Sequence, residues 1–169
     1  MTGPTMIERD VFRSAMARLG AAVNVVTTDG PAGLHGLTVS AVCSVSDDPP
    51  TLLVCVNRVA RANRALKLNE VLCVNVLAAH HTGLAQSFAS RGLAISERFN
   101  DPSAWSRLRT GSPVLHDAVA VIDCRIASVH EVGTHSVFFC EVEAVHAAGR
   151  AQGLIYFDRA YHSVATQEA

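Results

Sequence analysis

Strand-length apolar runs dominate the pattern of hydrophobic and polar positions along the chain. AAVNVVTT (21–28), AVAVIDCRIASV (118–129), SVFFCEVEAVHA (136–147) and GLIYFDRAYHSV (153–164) each read as one strand. TLLVCVN (51–57) and VLCVNVL (71–77) are continuously apolar, which predicts central strands. Helical spacing appears in fewer places. TMIERDVFRSAMARLG (5–20) carries an apolar stripe at Phe12, Ala15, Met16 and Leu19 and stops at Gly20. Thr5 and Glu8 have capping-box spacing there, and Asp10 is an equally good start. Two further helices are expected, over 58–68 and 81–90. A polar, irregular region carrying Trp105 begins at SERF.

GLTVSAVCSVSDDPP (36–50) stands apart. It alternates like a strand, yet Thr38, Ser40, Ser44 and Ser46 put four hydroxyls on one face, until Pro49 and Pro50 end the ladder. Such a face is either an ordinary half-solvated strand or the wall of a polar site.

There is no strict βαβα alternation and no GxGxxG, so a dinucleotide-binding sheet is disfavoured. The expectation is mainly β (α+β): an antiparallel, Greek-key-like sheet closed as a barrel, with two or three flanking helices. At 169 residues, with no repeat or linker, one domain spanning 1–169 is expected, its core at about 10–165.

Charged residues make up 17% of the chain against roughly 25% in an average soluble protein. So little charge cannot cover a monomer's surface, which predicts a homo-oligomer, most simply a twofold dimer. A net charge of −1 without a basic run argues against nucleic acid. MTGPTMIERD has no apolar export signal and no run approaches membrane length, so a soluble, cytoplasmic protein is expected. Five cysteines without CxxC are read as reduced, space-filling thiols. Among eight histidines only His80 and His81 are adjacent. No HxH or HExxH occurs, so no metal site is expected and these two are assigned to a solvent-facing helix start. Asp123 and Arg125 read as a solvated cross-strand pair.

The ordered set TVSAVCSVSDDPPTLLVCVN, LCVNVL, QSFA, GTHSVFFCEVEAV and GLIYFDRAYH resembles the short-chain flavin reductases, the reductase components of two-component monooxygenases. The nearest subgroup is that of the 4-hydroxyphenylacetate 3-monooxygenase reductase and the pyrimidine-utilisation flavin reductase. The likeness runs from about Phe12 to His162. It implies a split β-barrel homodimer that binds FMN near its interface and takes hydride from NADH. Reduced flavin then passes to a separate flavin-dependent monooxygenase. FAD or riboflavin in place of FMN, and NADPH in place of NADH, are left open.

The resemblance also implies roles for individual residues. Thr38, Val39, Ser40 and Ala41 would run along the polar edge of the flavin ring, and the Val39 and Ala41 backbones would reach N5 and O4. Asn57, Arg58 and Asn63, at a helix start, would take the phosphate, and Arg61 would either add a charge-assisted contact there or stand as a solvated surface arginine. Relatives often carry Ser or Thr in this loop, where this chain has Val59, Ala60, Arg61 and Ala62. Ser87, Phe88, Ala89 and Arg91 would form a second phosphate and ring-packing segment. His135 in GTHSVFF would hold the nicotinamide carboxamide and aim C4 at flavin N5; Thr134 stands where the family commonly has Asp. Tyr156, Arg159 and Tyr161 would lie beside the flavin or anchor the dimer. Two alternatives remain at this point: a flavin carrier or sensor on the same barrel, and a barrel like that of pyridoxamine-phosphate oxidases.

Overall fold

The computed structural model describes residues 6–149 and 151–165. The elements run α1 (Arg9–Met16), β1 (Ala21–Ala22), β2 (Asn24–Thr28), β3 (His35–Val39), β4 (Val42–Asp47) and β5 (Pro50–Asn57). Then come α2 (Arg61–Asn69), β6 (Val71–Val76), a 3-10 turn (Ala79–His81), α3 (Thr82–Ala89) and α4 (Ile95–Arg98). A second 3-10 turn (Pro102–Ala104) leads into β7 (Trp105–Arg107) and β8 (Pro113–Leu115). The chain finishes with β9 (Ala120–Val132), β10 (His135–Ala147), β11 (Gly153–Phe157) and β12 (Ala160–Val164).

Pairing is antiparallel throughout these strands. Seven strands make one sheet in the order β3-β2-β6-β9-β10-β5-β4. Its two edge strands, β3 and β4, are joined through Ser40 and Ala41 alone. A link that short spans only about 10 Å, so the sheet has to curl until its edges approach each other. A smaller sheet has the order β1-β11-β12.

The apolar runs explain the core. β2 is buried along its whole length, and β5 alternates, with Leu52, Val54 and Val56 turned inward. Those side chains join Val26, Leu72, Val74, Cys124 and Phe138 inside the curl, where Leu66 of α2 meets them. A second cluster lies under α3, where Phe88 packs with Val25, Cys73, Leu77 and Val121.

Several expectations need correction. The opening stretch is not one strand, because β3 and β4 lie at opposite edges of the sheet and the four hydroxyls therefore share no face. Thr38 donates to Ala85 O of α3, while Ser46 closes a turn with Asp48. GLIYFDRAYHSV is a hairpin: Asp158 and Arg159 both have positive φ (46° and 66°), the geometry of a tight two-residue turn. The first helix is shorter than its stripe. Phe12, Met16 and Leu19 are exposed, Glu8 makes no side-chain cap, and Thr5 lies outside the described residues.

Two polar assignments also change. Asp123 is fully buried and accepts from Thr110 N at 2.8 Å and from Thr110 Oγ1, while Arg125 pairs with Glu143 instead. All five cysteines are free; Cys73, Cys124 and Cys140 are buried, Cys55 is half-buried and Cys43 is exposed. Burial pushes the Cys140 thiol up to about 12.

Candidate active site

A cavity of about 510 Å³ opens between β3, the turn from β5 into α2, and the end of α3. That is within the roughly 300–1,000 Å³ of small-molecule sites. Thr38, Asn57, Arg61, Phe88, Ala89 and Arg91, all predicted for the site, meet at its wall.

Each has a local cause. Asn57 ends β5 and turns its Oδ1 back onto Val59 N at 3.1 Å, which sets the bend into α2. Ala60 stands at the helix N-cap with no capping side chain, and Ala60, Arg61 and Ala62 border the cavity. Asn63 N–H donates to Ala60 O at 2.9 Å, so among the described residues the Arg61 and Ala62 N–H groups are left for a ligand or water, at the positive end of the helix dipole. Phe88 is the apolar floor, in edge contact with Phe99 at 5.0 Å, and Trp105 packs on both rings at 5.8 and 4.8 Å. Gly36 lets that ring lie against β3: a Cβ there would stand 2.6 Å from Phe88 Cε1.

Sequence reading missed His35 and Arg98. Arg98 donates to the carbonyls of Gly36, Phe88 and Ser90, tying β3 to the end of α3. Its Nε and His35 Nδ1 are the buried side-chain atoms without a partner among the described residues, and both residues line the cavity. Burial, and then the charge of Arg61, hold the Arg98 guanidinium below its ordinary range. Burial, and then Arg98, do the same to His35, which favours its neutral form. Arg61, Arg91 and Arg98 thus give the cavity a cationic rim that fits a phosphate. The one local signal was a glycine, Gly36, inside a strand; nothing near Arg98 in sequence marks it.

Other predicted residues fall elsewhere. Val39 is buried in the core, and its carbonyl accepts from Asn24 Nδ2 at 3.2 Å. The Ala41 carbonyl is taken by Cys55 N at 2.9 Å; flavin N5 and O4 are acceptors, so the expected contacts fall to the Val39 and Ala41 N–H groups, which these two bonds do not engage. Asn63 is only 2% exposed and donates to Val56 O and Ser136 Oγ, which makes it a strut rather than a cavity residue. Arg58 is held by Glu131 at 2.9 Å, and Ser87 sits on α3 outside the cavity wall.

His135 opens β10 directly opposite Asn57, and cross-strand partners share a face. It stands exposed beside the cavity edge, with Nδ1 2.9 Å from Thr134 Oγ1. Ser40, Tyr156 and Arg159 line a second depression, against α1. There Arg159 reaches Ser14 Oγ at 3.2 Å, and Tyr156 meets Tyr161 edge-on at 5.3 Å.

Of the histidine pair, His80 is exposed at the turn into α3, as its sequence suggested, and His81 is not. His81 is buried, accepts Ala78 N at its Nδ1 (3.0 Å), and meets Asp117 Oδ1 through Nε2 at 3.0 Å. His80 Nε2 lies 2.8 Å from Asp117 Oδ2. Ligand atoms this close resemble a metal site. The Ala78 bond, however, places the neutral ring's proton on His81 Nε2, so that nitrogen has no lone pair for a metal. The cluster is better read as a clasp on the start of α3.

The flavin reductase like domain model matches residues 16–165, and the chain belongs to this family. It is 55% identical over 162 residues, 96% of this chain and 89% of the relative, to a protein of Variovorax paradoxus (strain S110) described as FMN reductase (NADH) RutF. Among solved structures it resembles BorF, the flavin reductase component of a bacterial two-component tryptophan halogenase. That match has a TM-score of 0.88 and 28% identity, covering 95% of this chain and all of that one. The styrene monooxygenase flavin reductase SMOB from Pseudomonas putida S12 matches with a TM-score of 0.81 and 26% identity, over 93% of this chain and 99% of that one.

Proposed function

We propose that this protein is an NADH-dependent FMN reductase that supplies reduced flavin to a separate monooxygenase. The observation carrying this reading is the cationic cavity rim set beside the His135 turn. FMN supplies a redox-active ring that accepts hydride at N5 from nicotinamide C4, and the transfer itself needs no protein acid or base. The chain's task is to bind and orient. Arg61, Arg91 and the uncapped start of α2 receive the phosphate, with Arg98 behind them adding positive charge. Phe88 and Thr38 wall the cavity, and the exposed imidazole of His135 holds the nicotinamide carboxamide so that C4 lies in near-contact with the ring.

We read the curl of the seven-stranded sheet as a split β-barrel, and the chain as a single domain with its core at about 10–165. We place the protein in the cytoplasm; among the described residues no helix is long and apolar enough to cross a membrane, and the cysteines are unpaired. We further propose a homodimer. Val11 (64% exposed), Phe12 (55%) and Leu19 (67%) on and just after α1 form an apolar stripe without a partner among the described residues, and Tyr156, Phe157 and Val164 of the small sheet are also exposed. A second copy covering that face would bury Ser40, Tyr156 and Arg159 at a subunit boundary.

The test is direct. Purified protein with NADH in air should consume NADH rapidly only when FMN is added, and His135→Ala should slow flavin reduction more than it weakens FMN binding. Bound flavin without NADH consumption would instead indicate a carrier. Equal NADH-dependent rates in the His135 variant would remove that residue's role.

A further inference from the structure

The turn that presents His135 is bolted to the anion loop by one carboxylate. Glu131, near the end of β9, accepts Lys67 Nζ of α2 at 2.6 Å and pairs with Arg58 Nε at 2.9 Å. It also accepts the Ser136 hydroxyl, shared between both oxygens at 3.0 and 3.1 Å. Ser136 is fully buried and in turn accepts Asn63 Nδ2 at 2.9 Å. On the other side, Arg58 donates its backbone N–H to Thr134 O at 2.9 Å and Nη1 to Gly133 O at 3.4 Å. Four elements thus converge on one side chain: the end of β5, α2, the end of β9 and the start of β10.

We propose that Glu131 is a positioning residue that locks the Gly133–His135 turn onto the Asn57–Asn63 loop and so holds His135 in place beside the flavin cavity. This rests on the role given to His135 above. The turn needs such a lock. It joins two 13-residue strands through Gly133 and Thr134, with Gly133 in the left-handed region (φ 53°), and hairpin tips fray when nothing holds them. A carboxylate is also required chemically. Two cations face it, and the Lys67 hydrogen bond, against the opposing effect of desolvation and with help from Ser136 and the charges of Lys67 and Arg58, keeps it below the usual carboxylate range. A glutamine would leave Arg58 and Lys67 uncompensated and turn an amide N–H₂ toward one of them.

The experiment compares wild type, Glu131→Gln, Glu131→Asp, His135→Ala and the Glu131→Gln/His135→Ala double variant. Amide hydrogen exchange reads the lock itself, and stopped-flow reduction of FMN by NADH reads its use. With Glu131→Gln, exchange at Arg58 and His135 should quicken, and the KM for NADH should rise about fivefold, the scale of a half-exposed ion pair. FMN affinity should stay within about twofold. Glu131→Asp should recover part of the loss, and Glu131→Gln should add nothing in the His135→Ala background. Unchanged exchange at the turn overturns the lock. Faster exchange with unchanged NADH kinetics, or an effect that persists without His135, overturns the positioning role. If His135→Ala alone leaves reduction unchanged, the functional reading of His135 fails separately, and with it the positioning role, while exchange still decides whether Glu131 locks the turn.

Discussion

Replacing Gly36 with alanine tests the packing that shapes the cavity. The backbone of Gly36 in β3 lies outside the left-handed region, so alanine fits its conformation. The obstacle is space. The new Cβ would stand 2.6 Å from Phe88 Cε1, 3.0 Å from Cδ1 and 3.3 Å from Phe99 Cζ. Phe88 cannot retreat freely, because it is 1% exposed and wedged against Phe99 and Trp105. Overpacking of this kind costs about 1–3 kcal/mol, offset by up to about 1 kcal/mol from the reduced entropy of the unfolded chain. With both rings held by their neighbours, the cost lies toward the upper end, and a net loss of about 2 kcal/mol in a chain of this length lowers Tm by about 4–8 °C. Because the displaced ring is also the cavity floor, FMN affinity should fall with it. Thermal unfolding and quenching of flavin fluorescence measure the two effects. In the Gly36→Ala/Phe88→Leu pair the smaller side chain should relieve the clash, so the double variant should lose less than the two single losses added together. An unchanged Tm together with additive losses would refute the packing argument.

Other expectations follow from single contacts. Arg61→Ala should weaken FMN more than riboflavin, which lacks the phosphate, when both are titrated; equal losses would place Arg61 away from the phosphate. Asn75 is fully buried, accepts Leu115 N at 2.8 Å and donates to Val25 O at 3.0 Å, so Asn75→Ala should cost about 1–3 kcal/mol in urea unfolding. Stability should also fall on acidification. Burial and then Arg98 hold His35 low; burial holds His81 low against the pull of Asp117, with His80 adding to the effect. The unfolded chain therefore takes up these protons first. This contribution is complete above about pH 6.5 and is lost as pH falls through the lowered native values, so Tm should drop as pH falls below about 6.5, less steeply in His35→Gln. A flat profile would contradict the burial of the two rings.

Much of this architecture was legible in the chain because burial writes a simple pattern. TLLVCVN and VLCVNVL became interior strands, and helices formed close to 58–68 and 81–90, because apolar runs of that length have nowhere else to go. What was hidden depends on long-range placement. Thr38 and Ser46 look like neighbours on one ribbon until the two-residue link at Ser40–Ala41 sends their strands to opposite edges of the sheet. The turn at Asp158–Arg159 was missed because neither residue is the glycine that positive φ favours. Arg98 entered the cavity from a segment that reads as irregular, and Asn63 proved to be a strut because its two donors are used by β5 and β10. Tyr156 and Arg159 sit against α1, away from the cavity, because the hairpin turn carries them to the small sheet.

The central claim is that the space between β3, the start of α2 and the end of α3 holds the flavin phosphate, with one ring face left open beside His135. A crystal structure of the protein soaked with FMN tests it most directly. The account predicts phosphate oxygens on Arg61, Arg91 and the first N–H groups of α2, and an open ring face toward the His135 turn. Flavin bound elsewhere, or that space filled by the protein's own side chains, would contradict it.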